Sequence, residues 1–229
     1  LRVLALDTSL GATAAAIVEF PSAAILAGKS SAMERGHAEA LVPMVRDLMQ
    51  DAGVRWSTLN RIVTTVGPGS FTGLRVAVAA ARAFALAHRL PVVGVSTLTA
   101  YAAPRLAQRP SASVASAIDA RHGAVFFERF AGDGTVLTLP GLLAIADAAA
   151  LLKDGKTELV GNAADIVLEA ARQEGCDCIS SGSLASPDIA WVARLGAAAA
   201  PETAPALPLY LRAASAVPQA NAAILRRVP

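Results

Sequence analysis

The chain has 229 residues, 54% hydrophobic and only 4% aromatic, with a formal net charge of +2. Such a composition buries a large alanine-rich core and excludes a disordered protein, and no apolar run approaches the roughly 18 residues that a membrane span needs. Cys176 and Cys178 are too few for a disulfide framework, or for a zinc site without distant help. The expectation is a soluble, cytoplasmic protein with no membrane contact and no bound metal. Residues 1–109 hold 11 basic and 6 acidic side chains, and residues 110–229 hold 9 and 12. No Lys/Arg cluster or interleaved aromatic platform accompanies the basic half, so direct nucleic-acid binding has little support.

In chain order, Arg2–Leu6 reads as a buried strand ending in Asp7-Thr8-Ser9, and a turn at Gly11 leads into a second strand, Ala12–Phe20. Ala23–Ala27 adds a third. From His37, the residues Leu41, Met44, Val45, Leu48, Met49 and Ala52 fall at helical spacing, and Gly53 supplies the stop. Pro43 requires this helix to begin near it or to bend there.

The centre of the chain reads strand, glycine turn, helix: Arg61–Val66, then Gly67-Pro-Gly-Ser-Phe-Thr-Gly73, then Leu74–Leu90. Gly67, Gly69 and Gly73 are expected to admit positive φ, and Ser70 or Thr72 to cap the helix. Unpaired amides at a helix start suit an anion, which makes Asp7, Thr8, Ser9, Gly67, Gly69, Ser70, Thr72 and Gly73 a candidate ligand loop. However, the Walker lysine is missing, and the third glycine falls one residue late for GxGxxG. A helix N-terminus contributes about 0.3–1 kcal/mol to an anion, whereas micromolar binding requires about 8. A structural or partner-facing turn is the other reading. In the following helix Arg75, Arg82 and Arg89 recur every seven residues amid Ala, Val, Leu and Phe. Its small face, with Ala77, Ala80, Ala81 and Ala85, calls for another helix, from this chain or a partner, or for burial inside one large core.

Pro91–Ser96 is a further strand and Leu98–Gln108 a helix. From Pro110 the pattern restarts: LALDTSLGATAAAIVEF and SAIDARHGAVFFERF share strand, Asp, short turn, Gly and strand, an internal duplication. Ser113–Asp119, Ala124–Phe130 and Thr135–Leu139 read as strands. Helix Leu142–Leu152, strand Thr157–Val160, helix Asp165–Glu174, a short run near Ile179 and helix Pro187–Ala199 follow. Pro201–Leu209 is a punctuated connection, and the tail from Ala213 shows no periodicity. Asp7 and Asp119, each closing a first strand, could hold a hydrated cation against a phosphate chain, or each cap its own turn. His37, His88 and His122 form no metal motif, and no GxSxG elbow occurs.

The segments LALDTS, RGHAEALVPMV, VGPGSFTGLRVAVAAARAFA, LPVVGVSTL, AIDARHGAVFF and LYLR, in that order, resemble the TsaB (YeaZ) family over most of residues 2–128 and again at Tyr210. The resemblance implies the actin-like, sugar-kinase and Hsp70 α/β fold, with lobes at 1–109 and 110–229 that each open on a β-hairpin, the second reduced. It implies a non-catalytic subunit, without cofactor, that binds and activates the TsaD transferase in making N6-threonylcarbamoyladenosine in tRNA. The ATPase TsaE completes that assembly, tRNA is met through the complex, and the free subunit is expected to pair with itself. Thr97 and Tyr101 stand where the catalytic sister carries a metal-binding histidine pair. The partner contact implied is a helix bundle, mapped onto Leu41, Met44, Val45, Leu48 and Met49 with Leu74, Val78, Ala81 and Ala85. An independent ATP-dependent phosphotransferase of the same fold is the alternative. No two of the 17 glycines are adjacent, which argues against the paired-glycine adenosine loop of actin-like ATPases.

Overall fold

A computed structural model describes residues 1–211. The first half forms β1 (Arg2–Asp7), β2 (Ala12–Glu19), β3 (Ala24–Ala32), α1 (His37–Asp51), β4 (Arg61–Gly67), α2 (Phe71–His88), β5 (Val92–Ser96) and α3 (Thr97–Leu106). The second repeats the order: β6 (Ser113–Asp119), β7 (Ala124–Phe130), β8 (Val136–Ala144), α4 (Ile145–Ala150), β9 (Thr157–Val160), α5 (Ala164–Gln173), β10 (Cys178–Ser180) and α6 (Ile189–Ala198). The sheets run β3-β2-β1-β4-β5 and β10-β9-β6-β7-β8, the same arrangement twice, with an antiparallel hairpin and meander followed by parallel strands. The duplicated hairpin read in the sequence is therefore one end of a duplicated lobe, and the fold is the actin-like α/β type. The second lobe keeps five strands but shortens the last two, with four residues in β9 and three in β10.

Alternation along the strands sends residues to both faces of each sheet. On one face of the first sheet Leu4, Leu6, Ile17 and Ile62 pack under α1 and α2. On the other, Val3, Ala5, Val63 and Val93 meet Val192 and Ala193 of α6, a helix from the far end of the chain. Gly196 of α6 lies directly on Val63, with no room for a Cβ. Arg61, the one charge of its strand, donates to the carbonyls of Gly196 and Ala199 at 2.6 Å each and so satisfies the end of α6. In return α3 covers one face of the second sheet, where Leu98, Tyr101 and Ala102 pack on Val114, Ile118 and Phe130. The final helix of each half thus seats on the other half's sheet.

Two expectations shift and a third is narrowed. The third strand is longer than Ala23–Ala27, reaching Ala32 because Ala12–Ala16 supplies an equally long partner. Leu142, Leu143 and Ala144 are not the start of a helix but the end of β8, opposite Phe126, Val125 and Ala124. Pro140 fits there because β8 is an edge strand with no neighbour to need its missing N–H. Pro43 lies inside α1, which starts six residues earlier at His37. The tail from Ala213, and Arg212 of the LYLR segment, lie outside the described residues.

Candidate functional site

The glycine turn and the Asp7-Thr8-Ser9 segment, 60 residues apart in sequence, lock against each other. Ser70 caps α2, its hydroxyl accepting from Gly73 N–H. Ser70 N–H donates to the Ser9 carbonyl at 2.7 Å, and the Thr8 hydroxyl donates to the Gly73 carbonyl at 2.6 Å. Of the three glycines in the turn only Gly67 has positive φ, at +112°, and it also lies against the Leu209 carbonyl. Gly69 and Gly73 are glycine for another reason: a Cβ would overlap the backbone of Ser9 and of Thr8 respectively. Of the turn's amides, Ser70 N–H and Gly73 N–H are engaged with the chain's own oxygens. Thr72 remains exposed at the rim.

Asp7 is fully buried and accepts from the Thr65 hydroxyl at 2.5 Å and from Ser9 N–H at 2.9 Å, both at Oδ1. Burial pushes its carboxyl above the ordinary range, and Oδ2 has no partner among the described residues. Asp119 closes the same turn in the second half, accepting from Arg121 N–H at 2.7 Å, but it is exposed. The two aspartates share no hydrogen-bond partner. Each caps its own turn. Thr97 and Tyr101 face inward; burial pushes the Tyr101 hydroxyl up, and it donates to the Leu184 carbonyl at 2.8 Å.

α1 and α2 lie side by side and run the same way, with Ala38 and Val42 beside Phe71–Ala80, and Met49 beside Phe84. The structure buries all nine residues that the sequence assigned to a partner contact: Leu41, Met44, Val45, Leu48, Met49, Leu74, Val78, Ala81 and Ala85. Their regular spacing marks the side that packs toward the sheet. Leu41, Val45 and Met49 reach only the floor of two shallow grooves between the helices. The exposed walls belong to other residues, notably Val42 at 51% exposure, Phe71 at 52%, Ala79 and, beyond the grooves, Leu86 at 84%. These lie between the helical repeats of the core stripe, so periodicity did not single them out.

Each end of this face is finished by aromatic contacts. At the start of α2 the Arg75 guanidinium lies 3.9 Å from the Phe71 ring centroid and donates to the Tyr210 hydroxyl at 3.2 Å. Tyr210 is delivered there by a strap near the C-terminus: Gly94 N–H bonds the Ala204 carbonyl and Leu209 N–H bonds the Val66 carbonyl, across the ends of β5 and β4. At the far end Trp56 stacks on His88 at 4.2 Å and tilts against Phe84 at 4.9 Å. No helix among the described residues is long and apolar enough to cross a membrane.

The family model described as "TsaD: tRNA N6-adenosine threonylcarbamoyltransferase" matches residues 30–221. The tRNA threonylcarbamoyladenosine biosynthesis protein TsaB of Escherichia coli is 34% identical over 133 residues, covering 58% of this chain and 56% of that protein. The chain thus spans only about half the length of that relative. An uncharacterised protein of Mycobacterium tuberculosis, Rv3421c, is 31% identical over 221 residues, 95% of each chain. Among solved structures, YeaZ from Pseudomonas aeruginosa superposes with a TM-score of 0.73 at 27% identity, over 92% of this chain and 99% of that one. With matches of that extent in sequence and in fold, the chain belongs to the TsaB (YeaZ) family.

Proposed function

We propose that this protein is a non-catalytic subunit that binds and activates a TsaD-type transferase, which forms N6-threonylcarbamoyladenosine in tRNA. One contrast carries the reading: the glycine turn is closed against the backbone of Thr8 and Ser9, while the outer face of α1 and α2 is largely apolar and exposed. Exposed Val42, Phe71 and Leu86 are what a helix-bundle partner would cover. In this reading a TsaE-type ATPase completes the assembly, tRNA is met through the complex, and the free subunit pairs weakly with itself through the same face.

The test is light scattering on this chain, alone and mixed with the TsaD-type subunit of its own genome, with the tRNA-modification assay run on the same samples plus the TsaE-type ATPase. A heterodimer, with modification only in the mixtures that contain this chain, is the expected result. Steady ATP hydrolysis by the chain alone, lost in Asp7→Ala, would replace the proposal with the phosphotransferase reading.

A further inference from the structure

The outer ridge of α2 reads Arg75, Ala79, Arg82, Leu86, Arg89, every residue of it exposed and spaced by three or four. Seven helical residues span about 10.5 Å, which separates Arg75 from Arg82 along the helix, and Arg89 follows at the left-handed C-cap. On α1 the grooves are bordered by Arg46, and the only charges lining either groove are Arg46 and Arg75. Arg46 has a carboxylate, Asp47, at 2.7 Å. Arg75, Arg82 and Arg89 have none within ion-pair distance among the described residues. An apolar groove with Arg75 on its wall and Arg82 and Arg89 beyond it, none of the three in an ion pair among the described residues, favours one kind of occupant, since like charges at an interface are repelled and opposite ones set register.

Resting on the reading of this face as the partner site, we infer that it selects an acidic helical partner. That partner's small or apolar stripe fills the groove, and its carboxylates, recurring at three- and four-residue spacing, meet Arg75, Arg82 and Arg89. The same ridge opposes self-association. A twofold pairing through this face sets the arginine line against its own copy, so the homodimer is held only by apolar contact and loosened by charge. Residues 212–229 contain three arginines and no acid, so the chain's own C-terminal segment does not complement the ridge either. RNA is a poorer fit, because Ala79 and Leu86 interrupt the cationic line at each step.

The two complexes therefore respond oppositely to salt. Binding of the TsaD-type subunit weakens as ionic strength rises, while self-association strengthens as the repulsion is screened. The experiment is titration calorimetry of the full chain against that subunit at about 50 and about 500 mM salt, beside sedimentation of the chain alone. It is done for wild type, the double variant Arg82→Glu/Arg89→Glu and Val42→Asp, each checked for an unchanged melting curve. The double variant is expected to lose about tenfold or more in affinity at low salt, the gap narrowing at high salt. Wild-type affinity in Val42→Asp would remove the docking face itself. If Val42→Asp abolishes binding while the double variant binds as wild type at both salts, the face stands and the acidic-partner inference falls. It falls also if deleting residues 212–229 raises affinity, or if the double variant loses only binding to bare tRNA.

Discussion

Thr8 and Gly73 hold each other from both sides. The Thr8 hydroxyl donates to the Gly73 carbonyl at 2.6 Å, while the Gly73 Cα sits so close to the Thr8 carbonyl that no Cβ fits between them. Gly73→Ala must push the first turn of α2 off the β1 hairpin. A loss of about 1–3 kcal/mol is expected in chemical denaturation, as for other overpacked sites. Gly53→Ala is the informative comparison: no atom lies within 4 Å of its added Cβ, so its cost comes only from a φ of +61°.

Val42 and Val78 stand one on each side of the same helix pair. Val42→Asp leaves the fold intact, since the carboxylate reaches solvent, and it weakens the complex with the TsaD-type subunit by more than about 2 kcal/mol. Val78→Glu instead buries an unpaired charge in the core and unfolds the chain or lowers its melting point sharply. Circular dichroism beside binding separates the two; equal melting points would contradict the placement of these side chains.

Glu128, buried under α3, has its carboxyl pushed up to about 7 by desolvation, opposed only by the Thr99 hydroxyl at 3.4 Å. The folded value lies above the unfolded 4.5, so this contribution to stability is complete below about pH 4.5 and is lost as pH rises to about 7. The loss is about 1–3 kcal/mol. Glu128→Gln should flatten that slope and be the more stable protein at pH 8. Denaturation midpoints at pH 5 and pH 8 check it.

Asp7→Asn keeps an oxygen for Thr65 and Ser9 while removing a carboxyl whose ionisation burial opposes. It is expected to match or exceed wild-type stability at pH 8 and to support full modification in the complex. Asp7→Ala strips two hydrogen bonds and costs about 1–3 kcal/mol. Full loss of modification in a folded Asp7→Asn would show that this carboxylate takes part in the reaction.

Local sequence carried much of this fold and less of its surface. The twin hairpins were legible because β-alternation, a turn-capping aspartate and a glycine recur together in LALDTSLG and SAIDARHG. The helix stripes were legible as well, but a stripe records only what a helix buries. Leu41, Leu48 and Ala81 answer to Leu4, Leu6 and Ile62 beneath them, not to solvent. Gly69 and Gly73 looked like left-handed turn residues because their reason for being glycine lies in Ser9 and Thr8, 60 and 65 positions away. Leu142–Ala144 suited either helix or strand until β7 supplied hydrogen bonds. Gly161, whose added Cβ would overlap the Ala117 backbone, is the second-lobe counterpart of Gly67 and offers no motif to find it by.

The exchanged helices set the order in which this molecule can be made. When the first half has left the ribosome, Val3, Ala5, Val63 and Val93 still face water, because the helix that covers them ends at Ala198. The second sheet, for its part, waits on α3 from upstream. Neither half completes its core alone, so synthesis must pass nearly the whole chain before either becomes native, and a fragment cut near residue 109 should aggregate rather than fold.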